Sequence, residues 1–188
     1  MALIRLNNQS LTAVTSAGIP IRSNSVLQVK QSVMTTSLYE TGATVHLSDL
    51  DVDITPTASN SKFLIRGQIC ISSLGTRYHQ VKLFKRIGGV DTQISKGDNG
   101  SANTRIEAWV VCGTGATTSA EYQQHPVFGE FLDAPNTTSP ITYKVEVGSN
   151  IATGYTFAVN SAAYNNGNYD ANWNTSPISV LTVMEIAG

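Results

Sequence analysis

Apolar and polar residues alternate along residues 62–74, KFLIRGQICISSL. One face of this stretch is apolar and the other is polar, with Phe63, Ile65, Ile69 and Ile71 set against Arg66, Gln68 and Ser72. A period of two is typical of a strand with one buried face. Leu64 and Cys70 interrupt the polar face, which indicates partial cover by a neighbouring strand, loop or subunit. Gly67 lies on the buried face, where a missing side chain permits a bulge or the close approach of another backbone.

A second alternating run covers residues 78–87, after a polar break at residues 72–77. Because strands that follow each other closely in sequence often pair, the two runs predict a hairpin at the centre of an antiparallel sheet. Gly88 and Gly89 then predict a turn into a short strand over residues 90–95.

Strand patterns separated by turn residues recur along the rest of the chain, and no dozen residues show a 3.6-residue period. Further strands are predicted within residues 19–35, 50–54, 105–112, 121–132, 141–147, 155–159 and 178–186. The last run has two mostly apolar faces, which predicts a strand in the middle of a sheet or at a subunit interface. Together the pattern predicts an all-β protein, an antiparallel β-sandwich of jelly-roll type.

The first 22 residues differ from the rest. They carry scattered apolar residues in a Ser/Thr/Asn-rich segment that fits neither period: Leu3, Leu6, Leu11, Val14 and Ile19. We expect an extended N-terminal arm over residues 1–22, which anchors the protein to a particle or joins copies in a trimer, and a jelly-roll domain over residues 23–188. A frayed terminus and an arm packed on its own domain are the alternatives.

Composition narrows the function classes. Only 13% of the residues are charged, the net charge is −1, and the densest basic cluster is KLFKR at residues 82–86, so nucleic-acid binding lacks its electrostatic signature. No apolar run approaches the roughly 18 residues of a membrane span, and no signal peptide is evident, so we expect a soluble chain without a membrane partner. Cys70 and Cys112 lie in apolar strand runs, which predicts two buried reduced thiols.

Catalytic signatures are absent from the sequence. No nucleophile elbow, P-loop, dinucleotide fingerprint or HExxH motif occurs, and His46, His79 and His125 share no motif. A triad assembled in space remains the alternative. Asp49 and Asp53 flank a third acid, Asp51, in a pattern better explained by a solvated strand face than by a calcium loop, which needs a Gly turn and a closing Glu. We therefore expect no enzyme activity, no metal and no cofactor.

The irregular stretch 160–177 is the candidate recognition loop. It combines aromatic rings with Asn side chains, which suit stacking on sugar rings and hydrogen bonding to their hydroxyls. The candidate glycan contacts are Tyr164, Tyr169, Asn172 and Trp173. The alternative is that these rings pack the loop onto its own domain or onto a neighbouring copy.

Several segments resemble small virion structural proteins of tailed bacteriophages, especially marine cyanobacterial phages, which often bear tail-fibre labels. The similar segments are ALIRLNNQSLTAVTSAGIPI, SVLQV at residues 25–29, ITPTASNSKFLIRGQI at 54–69, TTSPITYKVEV at 137–147 and SVLTVMEIAG at the end. The resemblance implies a homotrimeric jelly-roll protein, made in the host cytoplasm and displayed on the external surface of the virion. Because no long shaft precedes the arm, we expect a short fibre, a knob or a capsid decoration.

Two functions follow from that resemblance. The first is a tail-fibre or knob component that contributes to host attachment through a cell-surface glycan, with phage capsid or tail proteins as further partners. The alternative is a capsid decoration protein that reinforces the head without binding a receptor. An apolar-studded arm and a two-faced terminal strand leave apolar surface to cover, which independently favours symmetric association. A polysaccharide depolymerase is a distant third, since no carboxylate pair can be picked out.

Overall fold

The computed structural model describes residues 23–42, 44–73, 78–98, 107–113, 123–149, 156–163 and 175–188. These residues form twelve β-strands and one 3₁₀ turn, Ser48–Leu50. The strands are β1 (Val26–Met34), β2 (Leu38–Thr41), β3 (Thr44–His46), β4 (Val52–Ile54), β5 (Lys62–Ser73), β6 (Tyr78–Ile87), β7 (Val90–Gln93), β8 (Val110–Gly113), β9 (His125–Asp133), β10 (Ile141–Ser149), β11 (Thr156–Val159) and β12 (Ser179–Ile186). No helix of this described part is long and apolar enough to cross a membrane.

The strands pair into two antiparallel sheets. In the first sheet the order is β1-β12-β5-β9, and β11 and β2 extend it beyond the end of β12. In the second sheet β10 pairs with β3 and β4 on one side and with β6 on the other, and β6 pairs with β7 and β8. In chain order the described strands change sheet six times, at β2 to β3, β4 to β5, β5 to β6, β8 to β9, β9 to β10 and β10 to β11. This order is that of a jelly roll, so the predicted fold class is confirmed.

The inner faces of the two sheets form one apolar core. β5 and β12 supply it from the first sheet, and β6 and β10 supply it from the second. Its fully buried members include Phe63, Ile65, Ile69, Leu83, Tyr143, Val145, Leu181 and Val183. The predicted alternation is therefore confirmed over residues 62–69, whereas residues 70–73 are buried on both faces of the strand, including Ser72 of the face predicted to be polar. The terminal strand β12 lies between β1 and β5, in the middle of its sheet as predicted.

Two local predictions were wrong. β5 and β6 do not form a hairpin, because β6 belongs to the opposite sheet and pairs with β10. Asp49 does not share a strand face with Asp51 and Asp53, because it lies in the 3₁₀ turn; its carboxylate accepts a hydrogen bond from Thr36. The turn at Gly88 and Gly89 is confirmed, with φ angles of 58° and 84° that suit glycine.

A buried polar cluster joins the two sheets at one end of the core. Lys85 Nζ, on β6, lies 2.9 and 3.1 Å from the two carboxylate oxygens of Asp133, the last residue of β9. Tyr143 Oη, on β10, donates to the same carboxylate at 3.0 Å. Burial and the neighbouring Asp133 together raise the pKa of Tyr143 well above its ordinary range. The tyrosine therefore stays a donor at every physiological pH.

A second buried carboxylate, that of Glu185 on β12, accepts hydrogen bonds from neutral donors of the described residues. Gln28 Nε2 donates to it at 2.6 Å, and the backbone amide and hydroxyl of Thr57 donate at 2.6 and 2.9 Å. Burial opposes ionisation of Glu185, but the nearby Ser61, Gln28 and Thr57 outweigh it, so the net pKa is lowered. These bonds tie the 55–61 connection to the β1–β12 pair.

Candidate interaction surface

The candidate residues predicted from sequence lie outside the described residues. This holds for the loop residues Tyr164, Tyr169, Asn172 and Trp173 and for the arm residues Leu3, Leu6, Leu11, Val14 and Ile19. A candidate site must therefore be built from what the described strands present to solvent.

The outward face of the first sheet presents a grid of side chains, here called the outer face. Because directly opposed residues of antiparallel strands point to the same side, the strand register gives its rows. The apolar row is Val29, Met184, Leu64 and Leu132; the central row is Gln31, Thr182, Arg66 and Glu130; the mixed row is Val33, Val180, Gln68 and Phe128. The apolar row spans all four strands without a polar interruption.

Several large apolar side chains of the outer face are open to solvent. Phe128 is 66% exposed, Val29 is 56% exposed, Leu132 is 52% exposed and Val33 is 43% exposed. Single exposed apolar residues are ordinary on protein surfaces, but a contiguous band of them marks a contact site. The outer face therefore has the character of a surface that another chain covers.

The central row is polar, and its side chains form hydrogen bonds with one another. Arg66 Nε lies 2.6 Å from Glu130 Oε2 across β5 and β9, and Gln31 Nε2 donates to Thr182 Oγ1 at 2.9 Å across β1 and β12. Both partners of the ion pair are more than half exposed, so solvent screens most of its energy. The row separates the apolar row from the mixed row, in which Val33, Val180 and Phe128 are apolar and Gln68 is polar.

A shallow open depression of about 280 Å³ lies within the outer face. Arg66, Phe128 and Glu130 line it together with Gly67 and Gly129, which are directly opposed on β5 and β9. The two glycines contribute only backbone atoms to its lining. The depression is rimmed by one aromatic ring and one ion pair.

Trp109 supports the glycine pair from inside the sandwich. A Cβ on Gly129 would lie only 2.6 Å from the indole Cζ2, and one on Gly67 would lie 2.9 Å from Cη2. The indole Nε1 donates to the carbonyl of Glu130 at 3.3 Å. The close approach predicted at Gly67 is thus made by a side chain rather than by another backbone, and the register of β5 carries no bulge there.

We expect Gly129→Ala to destabilise the fold by about 2 kcal/mol, because the methyl group would force Trp109 out of its position. Chemical denaturation monitored by tryptophan fluorescence measures the change. Gly42→Ala is the matched control, since a Cβ there meets nothing within 4 Å. Equal stability of the two variants would show that the indole is not held against the sheet.

The outward face of the second sheet is different in kind. Arg86 makes two hydrogen bonds of 2.7 Å to Asp91, and Lys144 Nζ lies 2.8 Å from the same carboxylate. The hydrogen bonds from Arg86 and Lys144 lower the pKa of Asp91 well below its ordinary range. Asp53 likewise accepts a hydrogen bond from Thr142 at 2.6 Å. The charged pairs of this sheet share its outward face with exposed residues that have large apolar parts, Tyr78 on β6 and Val111 on β8, whereas on the first sheet the apolar row spans all four strands.

The described residues offer little for catalysis. Within them, no group of three or more His, Cys, Asp or Glu side chains is placed to hold a metal ion. Cys70 and Cys112 are both free and buried, which confirms that prediction, and burial raises the pKa of the Cys112 thiol to about 11. A thiol that stays protonated is a poor nucleophile.

Part of the outer face had a signal in the sequence. Leu64 on the nominally polar face of its strand and the second apolar face of residues 178–186 both indicated cover by a neighbour. Phe128, Leu132 and Val29 gave no such signal, because only the strand register brings them beside those two strands.

No protein-family model and no curated protein sequence matches this chain. Among solved structures, it is similar to the structure of infectious bursal disease virus Gx strain, with 13% identity and a TM-score of 0.44 over 88% of this chain and 38% of that chain. It is also similar to the infectious bursal virus derived T=1 particles, with 14% identity and a TM-score of 0.42 over 100% of this chain and 41% of that chain. The chain thus spans about two fifths of the length of these structures. At such low similarity, the assignment of an antiparallel β-sandwich of jelly-roll type rests on the chain's own strand pairing.

Proposed function

We propose that this protein is a non-enzymatic structural protein of a virus particle, whose outer face is covered by another chain in the assembled state. The observation that carries the proposal is the contrast between the two sheets. One presents a band of apolar side chains four strands wide, and the other presents paired charges together with the exposed Tyr78 and Val111. Jelly rolls recur in viral capsid and lectin domains, which is compatible with this role although a fold alone does not fix a function.

In its more specific form, the proposal is a homotrimeric short fibre or knob of a tailed bacteriophage, displayed on the outside of the virion. The sequence resemblance to phage virion proteins supports this form. Residues 1–22 would anchor the protein or join its copies, residues 23–188 would form the displayed domain, and the 160–177 loop would contact a host glycan. Three copies multiply weak contacts, so even a shallow glycan site gains useful avidity.

Capsid decoration is the alternative, because an apolar sheet face can seat on a head shell as well as on a neighbouring copy. The number of copies per particle separates the two roles. A few tens of copies are expected for a tail appendage, and a number that follows the capsid geometry is expected for decoration.

We expect the purified protein to have a native mass of about three times the 20.1 kDa of one chain. Light scattering coupled to size-exclusion chromatography measures it. Leu132→Lys should weaken association, because it places a charge in the apolar row. Val90→Lys is the matched control: Val90 is 66% exposed on the second sheet, outside the outer face. A monomeric parent protein, or equal loss of association in both variants, would contradict the proposal.

A further inference from the structure

Two parts of this chain carry apolar residues that suit each other. The outer face has an apolar row and a mostly apolar mixed row open to solvent, here called its two bands, and residues 1–22 carry eight large apolar residues in a segment rich in Ser, Thr and Asn. We propose that residues 1–22 of this protein cover the outer face, running along the strands with Leu6 on one band and Leu11 on the other. This inference rests on the proposed role of the outer face as a contact surface, and it names the occupant.

The order of apolar and polar residues matches between the two parts. Along the arm, the apolar residues up to Leu6 are followed by the polar Asn7–Ser10 segment and then by apolar residues from Leu11. Along the strands, the apolar row, the polar central row and the mostly apolar mixed row follow one another. The bands are four residues apart, or about 13 Å, and an extended chain from Leu6 to Leu11 spans at most about 17 Å. The polar segment is therefore long enough to cross the polar row.

The position where the arm joins the domain also fits. The amide of Asn24 donates to the carbonyl of Ala187 at 2.8 Å, and the amide of Ala187 donates to Ser25 at 2.9 Å. The chain thus enters the domain at the end of the β1–β12 pair, on the sheet that carries the outer face. Twenty-two extended residues reach about 75 Å, and the four strands together span only about 14 Å, so the arm can cover its own domain or a neighbouring one.

Charge favours the same contact. The arm contains Arg5 and Arg22 and no acidic residue, and all 13 acidic residues lie in residues 23–188. Since the whole chain carries a net charge of −1, the domain is negative and the arm is positive. Opposite net charge on the arm and the domain draws the two parts together.

Disulfide trapping in the full-length chain tests the proposal. Cysteines are introduced as the pair Leu6→Cys and Leu132→Cys, and the protein is oxidised and compared with the pair Leu6→Cys and Val90→Cys. We expect at least tenfold more cross-linking in the first pair, since both partner positions are exposed and only Leu132 lies on the outer face. The native thiols are buried and should contribute little.

Each outcome decides the question. A 6–132 cross-link supports the proposal whether it forms within one chain or between chains, and the band on a denaturing gel tells which copy supplies the arm. Equal cross-linking of both pairs, or none in either, overturns it. Cross-linking by Leu132→Cys alone would show that a second outer face, and not the arm, is the occupant. A trimeric native mass without a 6–132 cross-link overturns this inference but not the proposed function. A monomer that is cross-linked within one chain supports this inference and contradicts the proposed function.

Discussion

Replacing Asp133 by Asn should lower the free energy of unfolding by about 3 kcal/mol, because it leaves the charge of Lys85 without a counter-ion in a largely buried site. The Asp133 side chain is 9% exposed and that of Lys85 is 18% exposed. The same substitution weakens the acceptor of the buried Tyr143 hydroxyl. Since the three residues lie on strands of both sheets, the loss should appear as global unfolding in a urea titration.

The matched control is Glu130→Gln, three residues earlier on the same strand. It also breaks an ion pair, that with Arg66, but both partners there are more than half exposed, so we expect a change below about 1 kcal/mol. Adding Lys85→Met to Asp133→Asn should recover part of the loss by removing the stranded charge. A control as destabilised as Asp133→Asn would mean that burial does not distinguish the two pairs.

Acidification from pH 6.5 to pH 4 should cost the fold on the order of 3 kcal/mol through His79 alone. The imidazole is fully buried 5.3 Å from the ring of Phe157, and neither ring nitrogen meets hydrogen-bond geometry with another described residue. Burial lowers the pKa of His79 to about 4, against a smaller opposing effect of the Gly148 backbone. The unfolded chain therefore binds the proton first, so this stability is fully present above pH 6.5 and is lost as the pH falls towards 4.

Urea titrations at pH 7.5, 5.5 and 4.5 measure this loss. In His79→Phe, which keeps an aromatic ring beside Phe157, the stability should change far less between pH 7.5 and 5.5. His46→Gln leaves His79 in place and should retain the parent's loss. Glu185 contributes in the same direction only below about pH 4.5, because its pKa is lowered on folding and its charged form is the stabilised one. An unchanged pH profile in His79→Phe would exclude His79 as the cause.

The strands were largely predictable, but their partners were not. Alternation along residues 62–74 identified β5 and its buried face, because one side of a two-layer fold must be apolar. The same pattern could not tell whether β6 pairs with β5 or crosses to the other sheet. In this jelly roll β6 crosses to the other sheet, and paired residues lie as far apart in sequence as Val29 and Met184. The local sequence of either strand does not indicate that pairing.

The candidate surface was predictable only in fragments, for the same reason. Leu64 indicated a covered outer face, and the terminal strand indicated two covered faces. The exposed Phe128 and Leu132 could be assigned to the outer face only from the strand register, which places them opposite Gln68 and Leu64. The loop and arm residues chosen for their chemistry remain predictions, since they lie outside the described residues.

The place of β12 between β1 and β5 has a consequence for biosynthesis. A ribosome makes the chain from its N-terminus, so β1 emerges some 150 residues before the strand that pairs with it. Until Ile186 has left the exit tunnel, the facing backbone groups of β1 and β5 have no partner strand, and the nascent chain exposes two open strand edges. Completion of this sheet therefore waits until residues 179–186 have been made, and a chain that ends before Ser179 would lack the central strand of its sheet.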